Sequence, residues 1–373
     1  MSACTFEKLA YLKLLLGIEG VGPSKIFSLL SRFHDLESIV NANYEKIIKA
    51  EGISHILGSK IHLAKKDLQK IKNDLERELN SLQKINGRLI TYWDDKYPEL
   101  LKKIYFPPLI IYTKGNFSEN DNYSIAIVGT RQPSLYGKSM AEKFSSELAE
   151  KNITIVSGLA RGIDSIAHEA ALKTNGRTIA VIGSGLDVIY PPENKKIFDR
   201  IAENGVVISE FELGTKPDAQ NFPRRNRILS GISLGTLVIE TKINGGAMQT
   251  AAYALDQNRE IFALPGNINT IQSEGPNRLI QRGEAKLVTS IDDILVELKL
   301  QLKPEFGKNI SVPVEELDLF EEKILNTLSY DPKQIDDIAA SAAMTTSDCL
   351  INLLTLEFKG FVKQLPGKMF IRS

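Results

Sequence analysis

Two kinds of hydrophobic pattern run along this chain, and they divide it. Leu9, Leu12, Leu15 and Leu16 recur at helical spacing, Gly17-Ile-Glu-Gly-Val-Gly-Pro23 interrupts, and Ile26, Leu29, Leu30 and Phe33 resume the pattern. A charged helical stretch from Lys60 to Leu82 follows, and no strand signal appears before it ends. The spacing predicts an all-helical module over 1–82. Its Gly17–Lys25 segment fits a helix-hairpin-helix turn, which either presents Gly-Val-Gly amides to a phosphate or simply joins two packed helices. Glu19 within that turn repels phosphate and weighs against the first reading.

From about Leu89 the pattern changes to short runs rich in Val and Ile. They are Ile125–Val128, Ile153–Val156, Thr178–Ile182, Val206–Ile208, Thr236–Ile239 and Glu260–Leu264. Helical segments such as Lys138–Glu150 and Asp164–Leu172 lie between them. Strands alternating with helices predict a parallel sheet covered on both faces, because parallel neighbours need crossover connections. The middle, residues 83–300, therefore reads as an α/β, Rossmann-like, doubly wound and mostly parallel domain. Pro, Gly and polar residues then cluster without periodicity over 301–315, the best linker candidate. Beyond it, Leu319–Leu328, Ile335–Ala340 and Thr346–Phe358 read as helices and Phe361–Ile371 as a hairpin, which predicts a small winged-helix domain over 316–373.

Composition narrows the class. With 373 residues, 43% hydrophobic and 25% charged, the chain reads as an ordinary globular protein of two or three domains. Its 46 basic and 46 acidic side chains balance to zero, which excludes a polycation. Cys4 and Cys349 sit at opposite ends and make neither a disulfide framework nor a CxxC metal site, so a reducing compartment is expected. The N-terminus lacks a basic signal region, and Leu14–Leu16 is far shorter than the ~18 apolar residues of a membrane span. A cytoplasmic protein without a membrane anchor is the expectation.

In an open parallel sheet, ligands bind beyond the carboxyl ends of the strands, where loops meet helix N-termini. Five predicted strand ends carry Gly, Ser or Arg: Gly129-Thr130-Arg131, Ser157-Gly158 with Arg161-Gly162, Gly183-Ser184-Gly185, Ser209-Glu210, and Asn244-Gly245-Gly246 beyond Glu240. Glycine lets a phosphate approach the backbone, and arginine offers it a planar fork. Taken singly, such glycines equally well only make tight turns. The run Phe222-Pro-Arg224-Arg225-Asn226-Arg227 places three arginines at a predicted helix start, behind an aromatic that suits base stacking. Arginines there oppose the helix dipole, so an anion or a carboxylate must compensate.

Enzyme templates fit poorly. Gly183-Ser-Gly185-Leu-Asp-Val188 lacks the third glycine of a dinucleotide fingerprint, and Gly137-Lys138-Ser139 lacks the P-loop glycine, having Gln132 at that position. His168, alone of its kind in the middle domain, falls on a predicted helix where packing or capping is the simpler role. No cofactor or metal is expected.

The runs Ala126-Ile-Val-Gly-Thr-Arg131, Ser134-x-Tyr136-Gly137, Val156-Ser-Gly-Leu-Ala-Arg-Gly-Ile-Asp164 with Ala167-His168, Tyr190-Pro191-x-x-Asn194, Phe222–Ile228 and Leu264-Pro-Gly266 together resemble the DNA-processing protein A (DprA, or Smf) family. Pro107–Asn116, the helical module and the winged helix, with Leu356-Glu-Phe-Lys-Gly360, extend the resemblance over nearly the whole chain. It implies a non-catalytic cytoplasmic protein that binds incoming single-stranded DNA in natural transformation, protects it and helps load the RecA recombinase. It also implies a homodimer through the Rossmann-like domain. Carried over by position, the DNA site uses Gly129, Thr130, Arg131, Ser157, Gly158, Arg161, Gly162, Phe222, Arg224, Arg225, Asn226 and Arg227, with Asn244 beside it. Where the family commonly reads Ser-Gly-Ser-Leu, this chain has Gly245-Gly246-Ala247-Met248 and lacks a serine hydroxyl. A nucleotide-hydrolysing relative of the fold is the enzymatic alternative, although its Gly-Gly-x-Gly-Thr-x-x-Glu motif is missing. A recombination adaptor acting mainly through protein contacts is another.

Charge by region sharpens the expectation for the tail. Residues 316–373 hold 6 basic and 9 acidic side chains, and the predicted recognition helix carries Asp348 and Glu357 but no Lys or Arg. A helix entering a major groove needs basic neighbours, so this winged helix is expected to contact protein and not to read duplex DNA.

Overall fold

The computed structural model describes residues 5–301, 318–329, 333–358, 361–365 and 369–372. The predicted linker, apart from residue 301, and Cys4 lie outside the described residues. By contacts the chain forms two compact units, Met1–Leu302 and Lys303–Ser373.

The first unit opens with helices Phe6–Leu16, Pro23–Phe33, Leu36–Val40, Tyr44–Ile47, His55–Ala64 and Leu68–Lys84. Side-chain caps start several of them: the carboxylate of Asp35 accepts from Ser38 N at 2.7 Å, and the hydroxyl of Ser54 accepts from Leu57 N at 3.2 Å. The single charged helix expected from Lys60 onward is instead broken by a 3-10 turn at Lys65–Asp67.

The sheet strands are β1 (Gly87–Thr91), β2 (Ile110–Gly115), β3 (Ser124–Val128), β4 (Thr154–Ser157), β5 (Thr178–Ile182), β6 (Val206–Ser209), β7 (Gly235–Val238), β8 (Glu260–Ala263) and β9 (Lys286–Leu287). Their spatial order is β1-β2-β6-β5-β4-β3-β7-β8-β9. All pairings from β6 across to β9 are parallel, whereas β2 pairs antiparallel with both β6 and β1. Each of the six strand predictions is a strand in this sheet; the antiparallel edge β1–β2 and the two-residue β9 were not predicted.

Both faces of the parallel strands are buried, which is why they read as continuous apolar runs and do not alternate with polar residues. Within β3, Ile125 and Ile127 enter one cluster with Phe144, Leu148 and Ala167, while Ala126 and Val128 enter another with Ile228, Ala251 and Leu279. The period of two thus sends successive side chains to two different helix layers. A third cluster joins the helical module to the sheet through Leu12, Leu15 and Leu29 on one side and Leu109, Tyr112 and Ile182 on the other.

The second unit contains helices Leu319–Thr327, Ile335–Ala342 and Thr346–Phe358, and strands β10 (Lys333–Gln334), β11 (Val362–Leu365) and β12 (Met369–Arg372) in the order β10-β12-β11. Three helices and a small antiparallel sheet around Ile324, Ile338, Leu353 and Phe370 make a winged helix. Cys349 lies in this core as a free, buried thiol.

Candidate nucleic-acid interface

From β3 the chain winds towards β4, β5 and β6 on one side, and β7 returns to pair with β3 on the other. This is the point where strand order reverses, and loops leaving β3 and β7 part there to form a crevice. A cleft of about 320 Å³ occupies it, lined by Gly129–Arg131, Ala160, Asp164, Phe222, Arg225, Asn226, Thr241, Lys242 and the start of the Gly246–Asp256 helix.

Three helix N-termini meet at this cleft: Ile163–Lys173, Asn221–Gly231 and Gly246–Asp256, none with a side-chain cap. The positive dipole end makes each a place for an anion, although Ile163 N already donates to Thr130 O and Asn221 N to Asp218 O. Close packing explains the glycines. A Cβ on Gly129 would stand 2.5 Å from Ile163, and one on Gly162, whose φ is +78°, would stand 2.4 Å from the carbonyl oxygen of Thr130. Only glycine lets the β3 and β4 loops touch in this way.

The ends of β3 and β7 are tied together, because Thr130 N donates to the carbonyl of Glu240 at 2.6 Å. The Glu240 carboxylate is buried and turned away from the cleft. It accepts from Ser134 N at 2.9 Å and Ser134 Oγ at 2.5 Å, at the start of the Leu135–Glu150 helix.

The predicted arginines separate into two groups. Arg131 and Arg224 are exposed and have no carboxylate partner among the described residues. Arg131 lies over the face of Phe222 at 5.4 Å, and Arg224 over Phe211 at 5.5 Å. Phe222 itself rests against the backbone of Gly183, where a Cβ would come within 2.9 Å of the ring, and meets Tyr190 at 6.0 Å. The ring is thus held half-buried beside a guanidinium.

Arg225 and Arg227 both have partners within the protein, Arg225 while lining the cleft and Arg227 outside its lining. Arg225 is only 5% exposed, and its Nη1 donates to the carbonyl of Gly158 at 2.7 Å and to that of Val181. Its guanidinium joins the ends of β4 and β5; burial pulls its pKa down to about 10, with the Asp164 carboxylate opposing that shift. Arg227 pairs with Glu210, each about 85% buried. These two carboxylates are the compensation that arginines at a helix start require.

Asn226 is also turned inward, its Oδ1 accepting from Arg225 Nε at 3.2 Å and its Nδ2 donating to Gly246 O at 3.4 Å. Ser157 is fully buried and donates to Ile127 O at 2.6 Å, while Gly158 gives its space to Arg225. Of these, Asn226 lines the cleft, whereas Ser157 and Gly158 lie outside its lining. Asn244 is exposed and lies outside the lining.

Arg161 projects from the Gly158–Gly162 loop and pairs with Glu193. That loop is anchored by the Asp164 carboxylate, which accepts from Gly158 N at 3.2 Å and Ala160 N at 3.4 Å, and by Asn194 Nδ2, which donates to Leu159 O at 2.9 Å. Leu159 takes a left-handed φ of +54° within it. Burial raises the Asp164 pKa, and Arg225 and the two amides oppose that rise.

His168 is the packing residue its position suggested. Burial holds its pKa down at about 3, and Nδ1 meets Thr178 Oγ1 at 2.7 Å. Lys242, exposed in the loop after Glu240, lines the cleft and was missed. Its nearness to that strand end was the available signal. Among the described residues no cluster fit to hold a metal ion occurs, and no helix is long and apolar enough to cross a membrane.

A doubly wound sheet with a basic and aromatic cleft at its switch point, joined to an N-terminal helical module and followed by a winged helix, defines a Rossmann-like protein with two flanking modules. Comparison with known proteins gives the family. Residues 88–299 match the family described as DNA recombination-mediator protein A, 311–368 the DprA winged helix domain, and 12–67 a SAM-like helix-hairpin-helix tandem. Protein Smf of Synechocystis sp. is 34% identical over 389 residues, covering 95% of this chain and 96% of its own. The X-ray structure of DNA processing protein A from Streptococcus pneumoniae is 34% identical with a TM-score of 0.64, covering 79% of this chain and 98% of that one. DNA processing protein A from Helicobacter pylori, whose structure addresses its single-stranded DNA binding mode, is 30% identical with a TM-score of 0.53, covering 59% and 98%. The chain belongs to the DNA-processing protein A family.

Proposed function

We propose that this protein binds single-stranded DNA in the switch-point cleft and, without catalysing a reaction, hands it to a RecA-type recombinase during natural transformation or related recombination. It acts in the cytoplasm as a homodimer through the Rossmann-like domain. The carrying observation is the pairing of Arg131 with Phe222 beside three uncapped helix starts. Amides and guanidinium suit phosphates, and the aromatic ring suits a base whatever its identity. The Helicobacter pylori relative's single-stranded DNA binding mode supports the reading.

The hydrolase alternative is disfavoured. Ala252 stands where the Gly-Gly-x-Gly-Thr-x-x-Glu motif needs its carboxylate, and Glu240 is occupied at a helix start. Of the cleft's lining groups, Asp164 is the carboxylate, and its Oδ2 is occupied by backbone amides. Among the described residues that line the cleft, no histidine and no second carboxylate is present to act as a base.

Fluorescence anisotropy with a labelled oligonucleotide tests the site. Arg131→Glu should abolish binding, and Phe222→Ala should weaken it about tenfold, from the ~1–3 kcal/mol of a stacked base. Wild-type affinity in both variants would place the DNA elsewhere. Recombinase filament formation on DNA already coated with single-strand-binding protein tests the handover: acceleration is expected from the wild type and not from Arg131→Glu.

A further inference from the structure

Beside Phe222 a second, narrow recess is lined by Arg131, Arg161, Gly183, Tyr190 and Pro191. Arg161 at its rim is already paired with Glu193, and the two side chains are 53% and 52% exposed. This differs from Arg227–Glu210, whose partners are 14% and 15% exposed. The buried pair cannot open without stranding two charges, whereas the exposed pair exchanges freely with other ions because water screens both states. A carboxylate and a phosphate offer a guanidinium the same kind of acceptor oxygens.

Glu193 is not needed to place the backbone that carries Arg161. The loop is fixed through its backbone by Asp164 and Asn194, and Ile163 N donates to Thr130 O at 3.2 Å just beyond it. Glu193 sits within the short turn Pro192–Asn194, so the Asn194 clamp that fixes the loop also holds this carboxylate beside Arg161. The carboxylate thus neutralises a cation whose backbone is already placed without it.

We propose that Glu193 is a built-in competitor for phosphate: it occupies Arg161 in the DNA-free protein, is displaced by an arriving strand, and thereby lowers both affinity and salt dependence. The proposal rests on the cleft being the DNA site. When Arg161 contacts a phosphate, the displaced Glu193 stays nearby and gathers back a cation that the DNA released. The pair then contributes almost nothing to net counterion release. Removing the carboxylate restores Arg161 as a full cation, worth about 0.7 in the slope of log K against log salt for a single strand.

The test is a salt series of oligonucleotide binding on the full chain for wild type, Glu193→Gln, Arg161→Ala and the double variant. Glu193→Gln should bind about two- to fivefold more tightly at low salt, the range expected of an exposed ion pair. Its slope should steepen by about 0.7, and the double variant should lose that gain. Glu193→Ala provides the same charge removal should the glutamine keep a hydrogen bond to Arg161. Unchanged or weaker binding, or an unchanged slope, in both Glu193 variants overturns the proposal and makes Glu193 a positioning or a merely surface residue. Arg131→Glu is run alongside: wild-type binding by that variant means that the cleft itself is not the site, which removes the basis of the proposal and is a separately visible result.

Discussion

At the residue scale, the run Phe222–Arg227 shows how identical side chains take opposite tasks. On a helix, positions 224 and 227 share one face and 225 falls on another, the one that lines the cleft with Phe222, so the partner met at each place sets the task. Arg224 emerges into solvent, Arg225 is drawn beneath the strand ends, and Arg227 meets Glu210. Arg225→Ala should therefore damage stability and not merely binding. It leaves the carbonyls of Gly158 and Val181 without their guanidinium and Asp164 without its buried countercharge, a loss on the order of 3 kcal/mol. Arg131→Ala, at an exposed site, should stay within about 0.5 kcal/mol of wild type. Urea unfolding of the two variants distinguishes these outcomes; equal stability would show that Arg225 does not hold the strand ends together.

At the element scale, strands buried on both faces were legible because nothing polar interrupts them, and the crossover helices followed from the connections that such strands need. The antiparallel pair β1–β2 was not. Its Ile110–Gly115 strand lies just beyond Pro107-Pro108, and its pairing to β6 joins residues far apart in the chain, as in Tyr112 with Ser209. No local periodicity encodes such a partner. The recognition helix of the winged helix, Thr346–Phe358, presents Leu350 and Ile351 at 39% and 64% exposure next to acidic residues. An apolar, acidic face suits protein contact and opposes phosphate. Ending the chain at residue 301 should accordingly leave oligonucleotide affinity within about twofold. A larger loss, or tight duplex binding by the 316–373 segment at physiological salt, would give this module a DNA role.

At the scale of the whole molecule, zero net charge means that no global field draws DNA in, so a few local cations must suffice. Counting every arginine the family pattern nominates, Arg131, Arg161, Arg224, Arg225 and Arg227, gives an expected salt slope of about −3.5 at ~0.7 per contact. Folding removes three of them from that sum, two by burial and one by Glu193, and adds Lys242. The expected slope per protomer is then nearer −2. Oligonucleotide titrations across a tenfold range of salt check this, and a slope of −3.5 or steeper would mean that the buried Arg225 and Arg227 leave their partners on binding.

The sequence by itself determined the fold class, the flanking modules and the strand ends at which to look for a site. Those follow from hydrophobic periodicity and from glycine and arginine at strand-to-helix joints, properties carried within short stretches. Only the tertiary structure decided which of the arginines remain available, since burial and ion pairing depend on partners such as Val181, Glu193 and Glu210, remote in the chain. It likewise brought Lys242 to the cleft and turned Glu240 away from it. Charge is written in the sequence, but whether a charge is free to meet a ligand is set by what the fold places beside it.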